Sequence, residues 1–150
     1  MSTDRIEKVA ELRAPVSRVW RALTDAAQFG EWFRVKLDGA FTPGQPIRGK
    51  ITQPGYEHVT MEVWVEAIEP ETYFSFRWRP YAIDPAVDYS HEPRTLVEFR
   101  LSPTPAGTRL AISESGFDGI PASRRDEAFR MNERGWAAQL ENVSRYVSGT

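Results

Sequence analysis

Between Arg34 and Gly116 the apolar residues recur at every second position, and beyond Pro121 they recur at every third or fourth. This change of period constrains the fold more than any other feature. Alternation at two makes strands with one apolar face, and spacing near 3.6 makes a helix with an apolar stripe. Strands are expected at about 34–38, 46–53, 58–69, 72–79, 94–102 and 108–116. In the third, Val59, Met61, Val63, Val65 and Ala67 share one face, with Glu62 and Glu66 opposite. In the fourth, Phe74, Phe76 and Trp78 alternate with Ser75, Arg77 and Arg79, and in the fifth, Val97, Phe99 and Leu101 alternate with Glu98 and Arg100. One apolar and one wet face is the pattern of an antiparallel sheet. Thr42-Pro43-Gly44, Gln53-Pro54-Gly55, Glu69-Pro70-Glu71 and the 103–107 segment carry turn chemistry, so the strands should form a meander.

The last segment is helical. Phe129, Trp136, Leu140, Val143 and Val147 form a stripe of more than five turns, with a stop at Ser148-Gly149. Ahead of the sheet, residues 5–13 read as a half-exposed strand closed by Ala14-Pro15. Val16, Val19, Trp20 and Leu23 then share a helical face, and a second short helix follows Thr24-Asp25 and runs to Phe29 or Gly30, with Trp32 plugging the corner. The expected class is α+β: a curved six- to seven-stranded antiparallel sheet around one long C-terminal helix, with two short helices after the first strand.

The 150 residues suit one domain, and no repeat or linker divides them. Five Trp, five Tyr and eight Phe are enough rings both to fill a core and to line a small-molecule cavity. A net charge of −2 gives no long-range pull on nucleic acid or an anionic membrane. Arg124-Arg125 is followed by Asp126 and Glu127 and reads as a solvated helix start. The absence of cysteine excludes disulfides, thiolate nucleophiles and thiolate metal sites. Residues 1–5 lack an apolar leader and no run approaches a membrane span, so a cytoplasmic location and no membrane insertion are expected. His58 and His91 are far apart and no paired-histidine spacing occurs, so no metal is expected. No nucleophile elbow, phosphate loop or dinucleotide fingerprint is present, and no cofactor or catalytic residue is assigned.

Several stretches together carry a resemblance. Ala14-Pro15-Val16-Ser17-Arg18-Val19-Trp20-Arg21-Ala22-Leu23-Thr24-Asp25, followed by Trp32-Phe33, resembles the opening motif of Hsp90-ATPase-activator-homologue-like proteins, a branch of the START-like, or SRPBCC, superfamily. Phe41-x-Pro43-Gly44, Phe76-Arg77-Trp78, Thr95-Leu96-Val97-Glu98-Phe99, Thr108-Arg109-Leu110 with Glu114-Ser115-Gly116-Phe117, and Asn132-x-x-Gly135-Trp136 follow in order. The segment from Pro80 to Ser90 looks characteristic of a bacterial subgroup. The resemblance implies one START-like domain over 1–150 with the helix-grip, or Bet v 1-like, fold. It also implies a deep cavity between sheet and C-terminal helix, and a habit of holding hydrophobic ligands. A minority of superfamily members catalyse cyclisation or hydrolysis. Hsp90 is left open as a partner but is not implied: the eukaryotic co-chaperone uses an additional N-terminal domain, whereas this chain is expected to begin at its first strand. Monomer and homodimer both stay open.

On this reading Phe74, Phe76, Trp78, Phe99, Glu114, Asn132 and Trp136 are the candidate ligand-binding residues. The four strand aromatics should point inward whether or not a ligand exists. Asn132 lies beside the helical stripe and needs partners, either a ligand or a strand or loop backbone. Gly135 sits mid-helix at a cost of about 1 kcal/mol relative to alanine, explained either by close helix–sheet approach, which is favoured, or by space left for a ligand. Glu114 would turn inward under strict alternation, but its place near a strand end favours rim exposure. The 80–94 connection, with Tyr81, Asp84, Asp88, Tyr89 and His91, reads as a lid or binding loop, or else as a structural excursion or a dimer contact. Three functions stay open: a carrier or sensor of an apolar or aromatic small molecule, which is favoured; a cyclase- or hydrolase-type enzyme using Glu114 and Asn132; and a chaperone-related interaction module.

Overall fold

The computed structural model describes residues 4–84 and 86–148. Strand β1 (Arg5–Leu12) leads into helices α1 (Val16–Thr24) and α2 (Ala26–Phe33). A meander of β2 (Val35–Asp38), β3 (Pro46–Ile51), β4 (Thr60–Glu69), β5 (Tyr73–Trp78), β6 (Thr95–Thr104) and β7 (Gly107–Ser115) follows, and the long helix α3 (Ala122–Ser148) closes the chain. The seven strands form one antiparallel sheet in the order β1-β7-β6-β5-β4-β3-β2, so the first strand returns to the edge beside the last. Among the described residues no helix is long and apolar enough to cross a membrane. The helix stop placed at Gly149 lies outside the described residues.

The short helices form as local chemistry dictates. Pro15 presets the backbone entering α1, and the Asp25 carboxylate accepts from the Ala27 and Gln28 amides at 2.9 and 3.3 Å to start α2. Trp32 is buried and donates its indole N–H to the Ala22 carbonyl at 2.8 Å, pinning the two helices together as expected. Helix α2 does not stop at Phe29 or Gly30 but includes Trp32 and Phe33. Gly30 is there for space: a Cβ on it would sit 2.2 Å from the Val35 carbonyl oxygen, where β2 starts. The stop comes at Arg34, which takes a left-handed conformation (φ 69°) and returns its amide to Gly30.

Two departures from strict alternation shape the sheet. A bulge between Val65 and Ala67 shifts the register, so that Ile68 rather than Ala67 lies opposite Phe74. The extra residue moves Ala67 off the inner face and bends the strand. The outer face is also not uniformly wet. Glu98, on that face, is nearly buried beneath Tyr73 and Arg100, which donate to one of its oxygens at 2.6 and 2.9 Å.

Helix α3 lies across the concave face, burying Ala128, Trp136, Val143 and Val147. Phe129 and Leu140 of the expected stripe pack half-buried at the margin of the same core.

Candidate functional site

Rings fill the interior directly beneath α3. Phe29, Phe74, Phe76 and Phe99 are fully buried. Phe74 stacks on Phe99 with centroids 5.7 Å apart, Trp78 stacks on Trp136 at 5.7 Å, and Phe99 meets Trp136 edge-on at 5.9 Å. The space that a deep central cavity would occupy is core.

Set into this aromatic core is one carboxyl group. Glu114 on β7 is fully buried and faces no cation. Its Oε1 accepts from Trp136 Nε1 at 2.8 Å and from Asn132 Nδ2 at 2.9 Å. Its Oε2 accepts from Trp78 Nε1 at 2.7 Å and lies 2.5 Å from the Thr95 hydroxyl. Burial pushes the carboxyl above its ordinary range, and the four neutral hydrogen bonds, which favour the carboxylate, do not offset it. A protonated Glu114 is accommodated without loss, because its proton can point to Thr95 Oγ1 while the Thr95 hydroxyl turns to the Trp78 carbonyl, 3.5 Å away. The expectation of rim exposure is therefore corrected. Alternation holds to the end of β7, because the four donors give this carboxyl the partners that burial requires.

Beside this cluster lies an open cleft of about 700 Å³ between α3 and the β3–β4 side of the sheet. It forms where β4 outruns its neighbour: the β4–β5 ladder ends at Trp64–Arg77, whereas β4 itself starts at Thr60. Phe33, Met61, Trp78 and Ile83 give it apolar walls. Asn132, Gly135, Ala138, Gln139 and Asn142 form its helical side, a stripe of small and amide residues next to the apolar stripe of α3. A Cβ on Gly135 would meet nothing within 4 Å. The expectation that Gly135 permits close helix–sheet approach is thus overturned: the glycine stands against open space.

The 80–94 connection forms one end of the cleft through Tyr81, Ala82 and Ile83, and it is tied down. Arg124, at the start of α3, grips both oxygens of Glu92, donates to the Tyr81 carbonyl at 3.3 Å and lies over the Tyr89 ring at 4.8 Å. The Arg124 and Glu92 side chains are only 16% and 14% exposed. Arg124 is therefore not part of a solvated helix start. The local sequence hid this because its partner lies 32 residues earlier.

Comparison with known proteins agrees with this architecture. Residues 13–148 match the family described as Activator of Hsp90 ATPase homolog 1-like protein. The chain belongs to that family. Solved structures of the same fold include MLL2253 from Mesorhizobium loti, 26% identical, with a TM-score of 0.76 over 97% of this chain and 98% of that one. DynU16, a protein of the dynemicin biosynthetic locus, is 24% identical with a TM-score of 0.74, and this chain spans 46% of its length while aligning over 95% of its own. Ms6760 from Mycobacterium smegmatis is 18% identical with a TM-score of 0.75, covering 99% of this chain and 93% of that one. A search of curated proteins returned no significant match. The family and its helix-grip fold support a ligand-binding or related role.

In this family member the seven residues singled out from sequence divide into three groups. Trp78 and Asn132 border the cleft and also touch Glu114. Glu114 and Trp136 sit one layer behind the cleft wall. Phe74, Phe76 and Phe99 lie in the packed core and do not border the cleft. Asn132 ties α3 to a side chain of β7 rather than to a strand or loop backbone. Sequence reasoning missed Phe33, Arg34, Trp64 and the Gln139–Asn142 edge. The three-residue steps 132, 135, 138 were a readable signal for the helical part of that list.

Proposed function

We propose that the protein holds an apolar, ring-bearing small molecule in the cleft between α3 and the β3–β4 side of the sheet, acting as a carrier or sensor. The observation that carries this reading is Gly135. A mid-helix glycine costs about 1 kcal/mol relative to alanine, and here no contact offsets that cost, because the space over it is empty and belongs to the cleft. The volume suits a drug-sized ligand, and the walls combine aromatic faces with a few convergent amides, as small-molecule sites do.

The alternatives draw less support. A cyclase- or hydrolase-type reaction through Glu114 and Asn132 needs both in one cavity, but Glu114 does not border the cleft and its oxygens are taken by four donors. An interaction module needs a contiguous exposed apolar patch. Among the described residues the exposed large apolar side chains are Val9, Tyr56 and Val87, on three separate segments.

A thermal-shift panel of fatty acids, flavonoids, polyketide-like aromatics and sterols tests the reading. A ligand at about a hundred times its dissociation constant should stabilise the fold by about 2.7 kcal/mol. Unchanged melting across the panel would count against it.

A further inference from the structure

The cleft wall carries an excess of positive charge that its apolar character does not explain. Its charged side chains are Arg34, Arg79 and Glu62. Glu62 is already engaged by Arg48 at 2.6 Å. Arg79 bonds only to the Ser90 and Glu92 backbone carbonyls and lies over the Trp64 ring, whose other neighbour is the Arg94 guanidinium at 4.1 Å. The Arg34 side chain has no hydrogen bond, ion pair or ring contact among the described residues. The Asp88 carboxyl, held below its ordinary range first by hydrogen bonds from Ser90, is lowered further by nearby Arg79, so Arg34 is the cleft-lining guanidinium that no carboxylate answers among the described residues.

The backbone at Arg34 sharpens the point. Its left-handed conformation ends α2, a task that glycine or asparagine performs with less strain. Tyr81, in the 80–94 connection that also lines the cleft, is left-handed too (φ 52°). Of the three non-glycine residues with positive φ among those described, two therefore line this cleft. Arginine at the α2 stop gains nothing for the fold through its side chain, and strain of this kind gathers at functional sites.

We infer that the ligand is a ring-bearing organic anion, a carboxylate whose acid group is taken by the Arg34 guanidinium while its ring lies against Trp78 and Phe33. This rests on the binding reading above and narrows it. The planar guanidinium fork matches a carboxylate with two parallel hydrogen bonds. Arg79 adds a second positive charge to the same wall, and the aromatic faces receive the ring.

The test uses a matched pair, 2-naphthoate and its neutral amide, titrated calorimetrically into the wild type and into Arg34→Asn. Asparagine is at ease in the left-handed conformation, so this variant should melt no lower than the wild type, and Arg34→Lys serves as a charge-retaining control. The wild type is expected to bind the acid at least about tenfold more tightly than the amide, a 1.4 kcal/mol difference. Arg34→Asn should erase most of that preference and Arg34→Lys should keep part of it. Equal binding of acid and amide by the wild type would overturn the inference while leaving the cleft reading intact. A preference that survives in Arg34→Asn would overturn the role given to Arg34. Binding of neither compound, together with a silent panel, would remove both readings.

Discussion

Asn132 donates its side-chain amide to both carboxylate oxygens of Glu114, at 2.9 and 3.2 Å, and so joins the long helix to the last strand at the wall of the cleft. Trp78 and Trp136 complete the joint from β5 and α3. Replacing Glu114 with glutamine puts an NH₂ group where an oxygen now accepts, and an indole N–H, which can only donate, is left facing it. Glu114→Gln is expected to lose about 1–3 kcal/mol, and Glu114→Ala, which leaves the Trp78, Trp136 and Asn132 donors without that acceptor, to lose more. Urea unfolding followed by tryptophan fluorescence measures both.

The same carboxyl predicts a pH dependence. Burial raises its folded pKa above the ordinary value of 4.5, so the folded state holds the proton more tightly than the unfolded chain. Its contribution is therefore fully present below about pH 4.5 and is lost as pH rises through the folded value. The stability advantage of the wild type over Glu114→Gln should shrink as the pH rises from about 4.5. An advantage that grows instead would contradict the assignment.

Gly135→Ala should stabilise the protein, because the new methyl meets nothing within 4 Å and the helix gains propensity. A gain of about 0.5–1 kcal/mol, or roughly 2–4 °C in Tm, is expected by calorimetry. A fall in Tm would mean that the space over Gly135 is smaller than described.

Arg124→Gln should cost about 1.5–3 kcal/mol, because it leaves the largely buried Glu92 carboxylate without its cation. Hydrogen exchange should quicken at the Asp84 and Glu92 amides, which donate to the hydroxyl and the carbonyl of Tyr89, the residue whose ring lies under Arg124.

Much of the fold was legible because period and turn chemistry agree along the sheet. Six strands were placed within two residues of their observed ends, and the α3 stripe was read with its register. The bulge at Val65–Ala67 was not legible, since β-branched and small residues fit either face. Glu114 illustrates the limit at the site: alternation pointed it inward, but the donors that make burial tolerable come from β5, β6 and α3 and cannot be counted along one strand. Gly135 was visible as a cost, yet whether close packing or empty space lay over it depends on β3 and β4, about 70 to 90 residues away.

The claim that the cleft binds a ligand is tested most directly by isothermal titration of the strongest panel ligand into the wild type and Gly135→Leu, which keeps the helix but projects a side chain into the cleft. Saturable one-to-one binding by the wild type, weakened at least about tenfold in the variant, is the expected result. Equal binding by both proteins would place the ligand elsewhere and contradict the account.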